Sequence, residues 1–123
     1  MRINEKGTNM NITAEIKDYL YKKLAYLEKF LSKKDESVMC DVELGMISRH
    51  HKSGDVFRAE INLQMPGKSL RAEAEMGDIY AAIDIAKDEM VRELQVTKDK
   101  KVSKVRRGGA KVKNITKNLS IKN

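Results

Sequence analysis

Apolar residues recur along the chain in two periods, and the change from one period to the other divides it into six elements. Ile16, Leu20, Leu24, Leu27 and Leu31 follow steps of three and four, which keeps one face of an α-helix turned inward. Thr13 stands ahead of this stripe as its N-cap, and Tyr19, Tyr26 and Phe30 flank it. A second helix opens at Asp78-Ile79-Tyr80-Ala81-Ala82-Ile83-Asp84, with Gly77 to turn the chain and Asp78 to cap it. Its stripe is Ile79, Ile83, Ala86, Met90 and Leu94. Beyond Leu94 the helical pattern runs through Lys98, Lys101 and Lys104 without a core face, so these turns are expected to project into solvent carrying positive charge.

Between the helices the period drops to two, the signature of half-buried strands. Val38, Cys40, Val42, Leu44 and Met46 point one way in the first stretch, and Phe57, Ala59, Ile61, Leu63 and Met65 in the second. Leu70, Ala72, Ala74 and Met76 do so in the third. Met65-Pro66-Gly67-Lys68 reads as a tight hairpin, because Pro presets one torsion and Gly accepts the positive φ of a type II turn. The connection from Ser48 to Asp55, with Arg49, His50, His51 and Lys52, is longer and basic. Met1 to Lys6 predicts one more short strand, ended by Gly7. The order is strand, helix, three strands, helix, an α+β arrangement.

Charge separates the two sides of this arrangement. On the outward strand faces Asp41, Glu43, Glu60, Glu73 and Glu75 stand against Arg58 and Arg71, so that surface is acidic. On the first helix Lys22, Lys29 and Lys33 fall together at the edge of the apolar arc beside Tyr26, and Lys23 has to snorkel out from within the arc. A polyanion should avoid the strands and choose the helices. None of those outward strand positions is aromatic, unlike the base-stacking sheet face of RNA-recognition-motif domains. The formal charge of +7 is uneven too: residues 1–97 hold 15 Lys and Arg against 17 Asp and Glu, a balance of −2, and residues 98–123 hold 10 against one, a balance of +9. A basic end of this kind suits RNA, and it equally suits a solubilising tail.

Catalytic chemistry has few residues to stand on. His50 and His51 are neighbours in a loop, and with one cysteine and no His-x-x-x-His spacing a metal site is not expected. The outward carboxylates read as cross-strand partners of Arg58 and Arg71. Cys40 sits in a strand alternation and is expected to be plain packing. No apolar run approaches the 18 or so residues that cross a bilayer, and the N-terminus lacks a signal peptide's hydrophobic region, so a cytoplasmic location is expected. A chain of 123 residues forms one domain with one modest core.

Four stretches carry a resemblance. Gly7-Thr8-Asn9-Met10 leading to Thr13, Lys23-Leu24-Ala25-Tyr26-Leu27-Glu28-Lys29-Phe30, Leu70-Arg71-Ala72, and the Asp78 stretch with Arg92 beyond it are similar to the ribosome hibernation promoting factor family, also known as ribosome-associated inhibitor A proteins. The resemblance covers about residues 1 to 101 and implies a βαβββα fold, a four-stranded sheet with two helices packed on one face. It also implies a noncatalytic translation inhibitor that binds the small ribosomal subunit in the mRNA/tRNA channel, contacts its rRNA and keeps idle ribosomes inactive under stress.

The expected RNA-binding residues are Lys22, Lys23, Lys29, Lys87, Arg92, Lys98, Lys101 and Lys104. The expected partners are the small subunit and its rRNA, with no membrane, no cofactor, no small-molecule substrate, and a monomer off the ribosome. Residues 1–104 would form the ribosome-binding domain and 105–123 a basic tail, disordered until bound, as in a short form of the family. Family members usually carry a basic residue where Glu89 stands, another near Val96, a Gln in place of Glu93 and a lysine in place of Tyr26. The alternative is a general double-stranded RNA-binding module, whose αβββα order is a permuted cousin. Its lysine cluster at the start of the last helix is missing here, where Asp78-Ile79-Tyr80-Ala81 stands. A protein-binding adaptor using the acidic strand face is a third class.

Overall fold

The structure, a computed structural model, describes residues 1–31, 37–48 and 54–106, with side chains described for 1–31, 37–47 and 54–97. Lys33, the His50-His51 loop and the tail after Arg106 lie outside the described residues, as do the side chains of Lys98, Lys101 and Lys104. The elements are β1 (Arg2–Thr8), α1 (Ala14–Glu28), β2 (Met39–Ser48), β3 (Asp55–Met65), β4 (Lys68–Met76) and α2 (Ile79–Arg106). They make one four-stranded sheet in the order β1-β2-β3-β4. β1 runs parallel to β2 and the other pairs are antiparallel.

The period-two positions supply one face of the sheet and the helical stripes cover it. Leu20, Leu24 and Leu27 of α1 and Ile83, Ala86 and Met90 of α2 are fully buried, in one cluster with Cys40, Leu44, Ile61 and Leu63 from the strands. Burying each large aliphatic side chain contributes about 1.5–3 kcal/mol, so the face is held by sheet-to-helix packing. Cys40 is part of that core, and burial pushes its thiol up to about 12.

Both N-caps form as the residues dictate. Thr13 Oγ1 accepts from the Ile16 amide at 3.2 Å, and Asp78 Oδ2 accepts from the Ala81 amide at 3.1 Å. The β3–β4 turn places Gly67 at φ 75°, in the left-handed region that only glycine enters freely.

Two boundaries differ from the sequence pattern. β1 does not stop at Gly7: the ladder continues through Gly7↔Leu44 to Thr8↔Gly45. The glycine is there because the chain folds back over the strand end, and a Cβ on Gly7 would lie 2.5 Å from the Met10 carbonyl oxygen. Asn9, at φ 59°, makes that reversal. α1 ends at Glu28 although the apolar pattern runs on to Leu31. Amides of Lys29, Phe30 and Leu31 bond back three residues, to Tyr26, Leu27 and Glu28, tightening the last turn and closing the helix. Leu31 stays half-buried against the core from outside the helix.

Candidate nucleic-acid interface

Beside each core stripe lies a second stripe, and the two face each other. Tyr19, Lys22, Lys23 and Tyr26 stand at i, i+3, i+4 and i+7 on α1, and Tyr80, Asp84 and Lys87 at i, i+4 and i+7 on α2. Because Leu20 and Leu24 are packed under one and Ile83 and Ala86 under the other, the helices lie against each other along this line. Tyr19, Lys22, Lys23, Tyr26 and Lys87 line an open cleft of about 440 Å³.

One end of the cleft is a clamp. The Tyr19 hydroxyl lies 2.8 and 2.7 Å from the two oxygens of Asp84, to which it donates, and the Lys23 ammonium lies 3.2 Å from Asp84 Oδ1. Tyr80 packs edge-on against the Tyr19 ring at 4.9 Å, and Lys23 sits over that ring at 5.0 Å. Burial pushes the Asp84 carboxyl up, but the Tyr19 hydroxyl and the Lys23 ammonium together outweigh it and hold it below the usual carboxylate range. The same hydrogen bond to Asp84 raises the Tyr19 phenol and the Lys23 ammonium. Tyr19 therefore stays a neutral donor and Lys23 stays charged.

The other end gathers cations on one ring. Lys29, at the C-cap of α1, places its ammonium 5.3 Å from the centre of the Tyr26 ring, and Lys87 reaches the same ring from α2 at 4.9 Å. Lys87 also contacts Asp88 at 2.6 Å. Phe30 meets Tyr26 edge-on at 5.4 Å.

Of the lysines and arginine picked out in the sequence, Lys22, Lys23 and Lys87 come together in the cleft and Lys29 closes its end. Arg92 does not line it; its guanidinium lies 3.6 Å from Glu89 on its own helix. Three participants were missed: Tyr19, Tyr80 and Asp84. Their signal was present, since all fall on the stripes that flank the core positions, but nothing local ties an α1 tyrosine to an α2 carboxylate.

The opposite side of the sheet is acidic and internally paired. Glu43, Glu60 and Glu73 stand directly across from one another on β2, β3 and β4. Arg58 and Arg71 each bridge Glu60 and Glu73, as the outward pattern implied. Burial raises the Glu60 carboxyl, and Asn62, Arg71 and Arg58 together overcome that and lower it. Thr8 and Asn4 donate to Glu43 and Asp41 at the β1 edge. A phosphate approaching this face meets carboxylates whose cationic partners are already engaged.

Comparison with known proteins bears on the family and the fold. The chain is 31% identical over 110 residues to the ribosome hibernation promotion factor of Bacillus subtilis, matching 89% of this chain and 55% of that protein, so it spans about half the relative's length. It is 32% identical over 103 residues to the ribosome hibernation promoting factor of Pseudomonas putida, covering 84% of this chain and 92% of that one. Among solved structures, the Thermus thermophilus Protein Y N-terminal domain superposes with a TM-score of 0.63 at 36% identity, over 76% of this chain and 96% of that domain. The family model described as Sigma 54 modulation protein / S30EA ribosomal protein matches residues 3–102. With the βαβββα order, the core and the relatives in agreement, the chain belongs to that family, of Sigma 54 modulation and S30EA ribosomal proteins.

Proposed function

We propose that the chain is a noncatalytic ribosome hibernation factor that lays its helix side against RNA of the small ribosomal subunit, in the channel that mRNA and tRNA would use. The observation that carries this reading is the convergence of Lys22, Lys29 and Lys87 from two helices on one cleft, beside the Lys23–Asp84 pair, with the carboxylate-rich sheet face turned away. Occlusion needs only affinity and bulk, and the cleft offers both an electrostatic footing for phosphates and aromatic surface beside it. Lys98, Lys101 and Lys104 and the basic segment after residue 104 add positive charge to the same chain, and with it attraction for a polyanion.

Capping of α2 by Asp78 argues against the duplex-RNA module. Its carboxylate takes the Ala81 amide at the helix N-terminus, the place where a phosphate of duplex RNA would have to dock.

Neutralising Lys22, Lys29 and Lys87 together to Gln tests the reading by co-sedimentation with purified small subunits at several salt concentrations. Loss of three phosphate contacts lowers the slope of log K against log salt by about 2 to 3. Removing residues 107–123 should leave measurable binding. An unchanged slope in the triple variant, or binding lost entirely with the tail, would refute the cleft as the interface.

A further inference from the structure

Tyr26 has an arrangement that phosphate binding alone does not use. Its side chain is 42% exposed, and with Ile85 it is one of two large hydrophobic residues left exposed among the described residues. The tyrosines around it are otherwise employed: Tyr19 donates to Asp84, Tyr21 to Glu5, and Tyr80 packs on Tyr19. The partners of Tyr26 are different in kind, a half-buried phenyl ring at its edge and two ammonium groups over it. Phe30 is packed against the core, so the ring is steadied from below while it still lines the open cleft.

We propose that Tyr26 is a stacking platform for one unpaired nucleobase, with Lys29 and Lys87 taking the phosphates on either side of it. The inference rests on the RNA-binding reading above and narrows it to single-stranded RNA at this end of the cleft. An exchange of partners drives it. An ammonium over an exposed ring is worth about a two- to fivefold preference, whereas a base stacked on an aromatic ring is worth about 5- to 150-fold. When a base arrives, Lys29 and Lys87 leave the ring for phosphate oxygens, Lys87 trading its Asp88 contact as well, and each releases counterions. Two helices are needed, because Lys29 comes from α1 and Lys87 from α2. A base already stacked inside an A-form duplex has no free face to offer, so the ligand at Tyr26 is an unstacked nucleotide.

Three variants, Tyr26→Phe, Tyr26→Leu and the double Lys29→Gln/Lys87→Gln, separate this from the broader reading when each is titrated against purified small subunits across salt. Tyr26→Phe should bind as the parent does. Tyr26→Leu, at an exposed position that leaves the fold intact by circular dichroism, should lose about 5- to 150-fold with an unchanged salt slope. The double lysine variant should lower the slope. Chemical probing of the rRNA should show one unpaired base protected by the parent and by Tyr26→Phe but reactive with Tyr26→Leu. If Tyr26→Leu binds like the parent while the lysine variant is impaired, stacking is wrong and the RNA interface stands. A Tyr26→Leu loss accompanied by a lower slope also overturns stacking, since the ring would then only be positioning lysines. If neither variant is impaired, the RNA interface itself falls.

Discussion

Replacing Asp84 by Asn should move stability and binding in opposite directions. In the folded protein the Asp84 carboxylate holds the Tyr19 hydroxyl at 2.7–2.8 Å and the Lys23 ammonium at 3.2 Å. The amide in Asp84→Asn still accepts from Tyr19, but as a neutral partner. Hydrogen bonds to charged groups contribute about 1.5–3 kcal/mol and neutral ones about 0.5–1.5 kcal/mol. Their difference is on the order of 1 kcal/mol here, because the Asp84 side chain is 40% exposed and water screens it. For a domain of this size that is a fall of about 4–8 °C in Tm.

On the function proposed above, Lys23 freed from its carboxylate would join the cations available to RNA. One added phosphate contact steepens log K against log salt by about 0.7–0.9, which is about threefold between 50 and 200 mM. Tyr19→Phe is the control: it removes the hydroxyl, keeps the Lys23–Asp84 pair, and should lower Tm without touching the slope. Thermal melts by circular dichroism and sedimentation with small subunits read the two quantities separately. An Asp84→Asn variant with the parent's Tm and the parent's salt slope would refute the clamp.

Other outcomes follow from the fold. Gly7→Ala should destabilise by about 1–3 kcal/mol in urea titration, since its Cβ would meet the Met10 carbonyl oxygen at 2.5 Å, while Gly77→Ala, with nothing within 4 Å, should be close to neutral. The carboxyls of Glu5, lowered chiefly by the Tyr21 hydroxyl, and of Asp84 are held below their ordinary 4.5 and 3.8. Their contribution is therefore complete above those values and is lost as pH falls through the folded-state ones; melts taken downward from neutrality should show it, and Glu5→Gln should flatten the acid limb. Cys40 should react with a thiol reagent only on unfolding, because burial pushes its thiol to about 12; equal labelling rates in buffer and in urea would contradict its place in the core.

Periodicity was enough to find the core. Ile16, Leu20, Leu24 and Leu27, and Ile79, Ile83, Ala86, Met90 and Leu94, are all buried where their spacing put them. Thr13 and Asp78 cap as their side chains allow, because capping is a contact within four residues. The resemblance supplied the packing of both helices on one face.

What stayed hidden was contact between distant stretches. Lys23 read as a free cation because Asp84 is far away in sequence. The end of α1 was misplaced for a local reason: Phe30 and Leu31 remain apolar after the helix has closed, since a tightened turn keeps them on the core side. Gly7 read as a strand terminator, whereas its role depends on where the Met10 carbonyl folds back.

The clamp joins residues 65 positions apart, Tyr19 and Asp84, and this has a consequence during synthesis. At about 5–20 residues per second, Asp84 is made on the order of 3–13 s after Tyr19. Until then a growing chain owns only the α1 wall of the cleft, with Lys22 and Tyr26 but without Lys87. On the function proposed above, a nascent chain carries no complete cleft until α2 has been made, so a product that has emerged only through α1 lacks the wall that Lys87 supplies.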